Sequence, residues 1–562
     1  MLPQSLKTSF LALCALTTAA PAPSPPQLEA RSLLNLLADP YAPVQTSCPS
    51  TPLVRPATSI NSDEASYVAS RKTNADKALI SWLQRQGNFS TSSLPVVGFT
   101  SSGGGLRTLL ETAGVVQGFD IRDSDLSTSG VYQSLVYEAG LSGGAWFLSS
   151  LAGNNWPTVS YLKKNLWEDA FQNTLLVPAN LLSVSGLTEY GFIADQLIDK
   201  QAAGYDVTIV DPYGRLLSYQ LLEGASGGVS KRLSNLTSLS NFTSHNVPYP
   251  IITALGVDNA YSGQCYPDLA ATQYEFHLYE YGSWDSGVSA FAQSKYMGTN
   301  LTAGAPTKTN QCTVHYDNLG YILGTSSDVF NEYCEIITPS SETNGSLANV
   351  LEGLVDEAHE PLFQDLFAIY RNPFYQYKRS TKVQNASELA MADGGESGQN
   401  NPIWPLIQAN RTIDVLIVND NSADTTDNFP NGTEIQQTYI RAQAVGLTKM
   451  PYIPDVSIFV SKGLNKRATF FGCNETGTTF IVYLPNVAYS YNSGQATSKL
   501  EYTKAETDAM IANGVQIATQ NGTAGWPFCL GCAVKNGDVS SLPAGCNACF
   551  EKYCYYRSGT TG

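Results

Sequence analysis

Histidine is scarce in this sequence, and so is charge. Only His245, His277, His315 and His359 occur in 562 residues, so the last ~200 positions hold none. An α/β-hydrolase triad runs serine, acid, histidine along the chain, with the histidine late. That order is missing here. Charged residues make up 14%, too few for a disordered or fibrous chain, and the 43% of apolar residues can fill a large core. Basic residues are outnumbered, 32 Lys and Arg against 48 Asp and Glu, a net charge of −16. This excludes nucleic acid as the main partner, because phosphate binding needs a basic surface. It disfavours docking on anionic lipid and leaves neutral lipid open. No internal run is long and apolar enough to span a bilayer, no 20–50-residue repeat appears, and the polar end Tyr555–Gly562 carries no lipid-anchor signal.

What the sequence does have begins with an export signal. Lys7 precedes an apolar stretch from Ser9 to Leu16, followed by Ala19, Ala20 and Ala22 and the Pro-rich break Pro21–Pro26. This predicts a signal peptide over residues 1–20, a Pro/Ala-rich arm over 21–47, and a secreted product. Sequons at Asn88, Asn235, Asn241, Asn300, Asn344, Asn385, Asn410, Asn431, Asn474 and Asn521 suit N-glycans. Cys14 leaves with the signal, and the remaining even number of cysteines suits disulfides. Cys529-x2-Cys532 and Cys546-x2-Cys549, with Cys554 beyond them, are also the outline of a four-thiolate zinc ribbon. An oxidising compartment favours disulfides, so the segment 529–554 reads as a stapled end with no metal.

From Cys48 onward there is no linker or charge block, so residues 48–562 read as one large domain with insertions. Pro95–Thr100 reads as a strand and Leu106–Phe119 as a helix. Tyr132–Ala139 leads to a turn at Ser142 and then a helix through Leu151. Asp206–Val210, Pro250–Gly256, Tyr274–Leu278, Ile413–Val418, Val456–Val460 and Thr479–Leu484 are strand-like. This alternation predicts an α/β layered fold, its central sheet mostly parallel or mixed and flanked by helices.

Three glycine-rich places carry the chemistry. Ser101-Ser102-Gly103-Gly104-Gly105-Leu106-Arg107 joins a strand to a helix; bare backbone amides at a helix start can hold a phosphate or a developing oxyanion. It lacks the Gly-Lys-Ser/Thr of a nucleotide P-loop and the Gly-x-Gly-x-x-Gly of a dinucleotide site, and a flexible connection is the plain alternative. Gly140-Leu141-Ser142-Gly143-Gly144 fits a nucleophile elbow, in which a tight strand-to-helix turn exposes the serine. A nucleophilic Ser142 needs a base. Ala392-Asp393-Gly394-Gly395-Glu396 offers a carboxylate beside two glycines, although Asp-Gly-Gly read alone is a turn.

In this order, with Gln399-Asn400-Asn401-Pro402 following, the three segments resemble the fungal lysophospholipase/phospholipase B family. They are also similar to the catalytic domains of animal cytosolic phospholipase A, a lipase-like, patatin-type fold. The likeness runs from Cys48-Pro49-Ser50 through Leu53-Val54-Arg55-Pro56 to the C-terminal cysteines. It implies a Ser–Asp dyad without histidine: Ser142 the nucleophile, Asp393 the base, Gly104 and Gly105 the oxyanion hole, and Arg107 the partner of the lipid phosphate. It also implies phospholipid and lysophospholipid substrates, hydrolysis through an acyl-serine with transacylation as a side path, and no cofactor or metal in the chemistry. Two alternatives stand beside it: a secreted Ser-His-Asp esterase, and a glycosylated, non-catalytic cell-surface protein on a degenerate lipase fold.

Overall fold

The computed structural model describes residues 41–172, 184–258, 260, 263–333, 363–536 and 542–557. The signal segment 1–20, the arm up to residue 40, Asn344 and His359 lie outside the described residues.

The chain enters with β1 (Val54–Pro56) and the long helix α1 (Ser62–Gln86). Asn61 caps α1 by accepting from the amides of Asp63 and Glu64, two acids that suit a helix start. Two strand–turn–helix units follow: β2 (Val97–Ser101) into α2 (Gly105–Phe119), and β3 (Leu135–Gly140) into α3 (Gly143–Gly153). Every residue of β2, β3, α3 and the later β4 is buried, which is why these strands read as continuous apolar runs. Helix α4 (Val210–Leu221) precedes β4 (Tyr249–Gly256) and the antiparallel run β5 (Gln273–His277), β6 (Glu280–Ser283) and β7 (Ala290–Gln293). Then come α5 (Leu319–Ser326), β8 (Ala368–Arg371), β9 (Glu388–Ala392), β10 (Val415–Asp420) and α6 (Thr433–Val445). The chain closes with β11 (Thr469–Phe471), β12 (Phe480–Pro485), α7 (Lys504–Thr519), α8 (Trp526–Val534) and α9 (Cys546–Tyr553).

The strands form one 12-stranded sheet in the order β11-β12-β10-β2-β3-β4-β5-β6-β7-β1, with β9 and β8 added beside β4. Strands β12, β10, β2, β3 and β4 run parallel; the other pairings are antiparallel. The expected layered α/β fold is therefore present, with a mixed sheet: a parallel centre extended by an antiparallel wing.

Two strand readings are corrected. Val456–Val460 lies in a helix, Val456–Ser461, because a short apolar run carries no helix-or-strand signal of its own. Asp206–Val210 is irregular chain leading into α4, whose first turn contains Pro212, a residue that fits a helix start.

Among the described residues, four disulfides join Cys48–Cys312, Cys473–Cys554, Cys529–Cys549 and Cys532–Cys546. The thiols of the ribbon-like segment are thus consumed in bridges. The last two clip α8 to α9, and Cys473–Cys554 ties the tail to the loop after β11. The described end of the arm is docked: Val44–Thr46 pairs with Cys312–Val314, and the Tyr41 hydroxyl donates to Asp211 Oδ1 at 2.6 Å.

Candidate active site

Sheet register explains how the serine and the aspartate meet. Strand β3 runs parallel to β4 until Gly140 stands opposite Ile252, and Ser142 follows two residues on. From the opposite direction β9 pairs with the end of the same strand, Ala392 opposite Leu255, and Asp393 is the next residue. The other edge of β4 is taken by β5, which pairs with it up to Leu255. So β3 and β9 share one edge and meet head to head, bringing both residues to the level of Ala254. Side chains close the junction. The Ser142 amide donates to Ser326 Oγ at 3.0 Å, and Ser326 Oγ donates to the carbonyl of Thr253 at 2.7 Å. A Cβ on Gly394 would lie 2.7 Å from Leu141 Cδ1 and 3.3 Å from that same carbonyl.

Ser142 sits at the N-cap of α3 with φ 50° and ψ −120°, a conformation costly for a residue with a Cβ. The turn is held by the Gly144 amide, which donates to the carbonyls of Leu141 (2.8 Å) and Ser102 (3.0 Å). Strain enforced by its surroundings at one serine is the signature of an elbow. Ser142 is 8% exposed and Asp393 6%, so each retains only a small opening to solvent.

Asp393 is positioned by its own loop and by α5. Its Oδ1 accepts the Gly395 amide at 2.7 Å, and its amide donates to the Asp328 carbonyl at 2.9 Å. The Asp328 carboxyl accepts the amides of Phe330 and Ala368, and burial, reinforced by Asp393, pushes its pKa well above the usual carboxylate range. Ser326, Ser327 and Asp328 match no motif; only the tertiary fold reveals their part in the site. Ser327 Oγ takes the Trp146 indole N–H at 2.9 Å, steadying α3 just behind the serine.

The glycine loop lies against the elbow. Gly104 caps α2 with φ 138°, a conformation that favours glycine. Gly105 packs backbone-to-backbone on Gly143: a Cβ on Gly143 would fall 2.2 Å from the Gly105 carbonyl oxygen. Arg107 is fully buried. Its Nε donates to the Asn421 carbonyl (3.0 Å), and its Nη1 to the Gln495 carbonyl (2.6 Å) and to Thr497 Oγ1 (3.0 Å). Its Nη2 lies beside Gly104, where a Cβ would come within 2.4 Å. Burial lowers its pKa to about 10, so it stays cationic near neutrality.

The described histidines keep other company. His277 is buried, with Nδ1 2.7 Å from the Tyr249 hydroxyl, and burial lowers its pKa to about 3. His245 packs against Tyr67, and burial, then the charge of Arg232, lowers the pKa of His315. Among the described residues no cluster of three or more His, Cys, Asp or Glu could hold a metal, and no helix is long and apolar enough to cross a membrane.

The mixed sheet flanked by helices is the architecture of the cytosolic phospholipase A2 fold. The structure superposes on human GIVD cytosolic phospholipase A2 with a TM-score of 0.63 at 16% identity, covering 88% of this chain and 72% of that one. The sequence narrows the class. The model of the lysophospholipase catalytic domain matches residues 97–560. The chain is 35% identical to lysophospholipase 2 of Aspergillus fumigatus (92% of this chain, 93% of that protein) and 36% identical to a lysophospholipase of Kluyveromyces lactis (92% and 86%). It is 34% identical to lysophospholipase 3 of Saccharomyces cerevisiae (92% and 81%). This chain belongs to the lysophospholipase catalytic domain family and is a hydrolase of that class.

Proposed function

We propose that the protein is a secreted, glycosylated lysophospholipase/phospholipase B that removes fatty acyl groups from (lyso)phospholipids through a Ser142–Asp393 dyad. The observation that carries this reading is the head-to-head meeting of β3 and β9 on one edge of β4.

In the mechanism, Asp393 accepts the Ser142 proton as Oγ attacks the acyl carbonyl. The Gly104 and Gly105 amides receive the oxyanion, and one such donor contributes about 3–4 kcal/mol in acyl-transfer enzymes. Lysolipid or glycerophosphodiester leaves with the proton. Water then attacks the acyl-serine, with Asp393 as base, and releases the fatty acid; a second lysolipid attacking instead gives transacylation. Nη2 of Arg107 beside Gly104 suits a phosphate partner, since a guanidinium offers paired donors. The export reading agrees with the disulfides and with exposed sequon asparagines at 88, 235, 300, 385, 410, 474 and 521; Asn241 and Asn431 are half-buried.

Replacing Ser142→Ala or Asp393→Asn in protein of unchanged circular dichroism is expected to lower lysophosphatidylcholine hydrolysis at least about a thousandfold. Activity within tenfold of wild type in either variant overturns the dyad.

A further inference from the structure

Asn400 stands between the two halves of the site, and all of its polar groups are engaged. Its carbonyl oxygen and its Oδ1 both accept the Gly103 amide, each at 3.1 Å. Its Nδ2 donates to the Gly103 carbonyl (3.3 Å) and to Ser422 Oγ (2.9 Å), and its own amide donates to Glu434 Oε2 (2.7 Å). Its Oδ1 is wedged between the glycine loop and the aspartate loop. A Cβ on Gly103 would meet it at 2.2 Å and a Cβ on Gly395 at 2.6 Å; the same Gly103 Cβ would lie 3.1 Å from Ser142 Cβ.

The geometry points to Asn400 as a positioning residue for the acyl-transfer step: its carboxamide fixes the Gly103–Gly104 peptide, and through it the direction of the Gly104 amide. This rests on the Ser142 reading above. The physical link is the planarity of the peptide bond. The Gly103 carbonyl and the Gly104 N–H belong to one rigid trans unit and point opposite ways. Anchoring that carbonyl with Asn400 Nδ2 on one side and Thr108 Oγ1 (2.8 Å) on the other commits the Gly104 N–H to the opposite side. An oxyanion donor that needs no reorientation during reaction is the one that lowers the barrier. Because Asn400 Oδ1 also abuts Gly395, whose amide holds Asp393 Oδ1, the same side chain sets the spacing between donor loop and base.

The charged groups around Asn400 are Glu434 on α6, Asp420 reached through Ser422, Asp424 in the following loop, Asp393 at the tip of β9, and Arg107 on α2. Carboxyls predominate, which makes Asn400→Asp a discriminating variant. A protonated aspartic acid keeps one acceptor and one donor; an ionised one loses the donor to the Gly103 carbonyl and adds charge to an acidic surround.

The test measures the rate of Ser142 labelling by a long-chain fluorophosphonate, together with kcat and KM for lysophosphatidylcholine, from pH 4 to 8. In Asn400→Ala, kcat and labelling are expected to fall about 10- to 100-fold, with KM changed less than about threefold. In Asn400→Asp, activity relative to wild type is expected to be near one at the acid end and to drop tenfold or more toward pH 8. A ratio that stays flat with pH, or Asn400→Ala keeping more than half of kcat, overturns the inference. Should Asn400→Ala not fold, the pH dependence of Asn400→Asp decides. Wild-type enzyme that is never labelled at Ser142 refutes the dyad instead, so the two failures are separable.

Discussion

Two buried arginines in this molecule are solvated in opposite ways. Arg411 ties α1 to the antiparallel wing. Its Nε meets Glu64 Oε1 at 2.8 Å, its Nη2 and Nη1 meet the Glu275 carboxylate at 2.6 and 2.8 Å, and Nη1 also meets the Pro405 carbonyl at 3.0 Å. Burial opposes its charge, but Glu275 and Glu64 outweigh that and raise its pKa well above the usual value. Arg107, equally buried, hydrogen-bonds carbonyls and a hydroxyl but, among the described residues, no carboxylate, and burial prevails. The first charge is neutralised within the fold and serves architecture. The second is held in place by neutral acceptors, and under the proposed function its anionic partner is the lipid phosphate.

The comparison is best broken at its strong end. Arg411→Met strands Glu64 and Glu275 as buried carboxyls without their partner. A loss of about 3–5 kcal/mol is expected, read as a lowered denaturant midpoint, with kcat per folded molecule unchanged. A midpoint equal to wild type breaks the contrast. Arg107→Lys keeps charge but not the fork. Its kcat/KM for lysophosphatidylcholine is expected to fall about 10- to 100-fold, with a clearly smaller loss on an uncharged monoacylglycerol, as charge-assisted bonds contribute about 1.5–3 kcal/mol. Equal losses on both substrates assign Arg107 to scaffolding as well.

The smallest effect concerns the carboxyls near Arg107. Burial, then Asp424, raises Glu434 to about 8; burial, then Asp420, raises Asp424 to about 7. A raised carboxyl binds its proton more tightly folded than unfolded. Its contribution is therefore complete below the unfolded value near 4.5 and is lost as pH rises through the folded value. Thermal stability is expected to decline between pH 5 and 8, and less steeply in Glu434→Gln. Parallel declines in both proteins sink this account.

How much of this was legible in the sequence follows from the kind of information each part uses. The β2 and β3 units were readable because continuous apolar runs end in glycines that open helices. Val456–Ser461 was not, since six apolar or small residues suit either backbone, and the packing of Phe459 beside Phe471 and Tyr483 decides it. Ser142 announced itself through its pentapeptide. Asp393 did so only through resemblance, because Asp-Gly-Gly is an ordinary turn until β9 is laid against β4. Asp328, Ser326 and Glu434 gave no signal, as their roles exist only across α5, β9 and α6. Arg107 was readable as a cation near the glycine loop, but not its burial, nor its anchorage to residues nearly four hundred positions later.

The meeting of β3 and β9 has a temporal corollary. A chain emerging in order from the ribosome carries Ser142 long before Asp393, ~250 residues further on. Under the proposed dyad, the Ser142 hydroxyl has no proton acceptor until β4 has accepted a neighbour from each direction on one edge. On that reading, hydrolytic power arrives only once β9 has docked on β4.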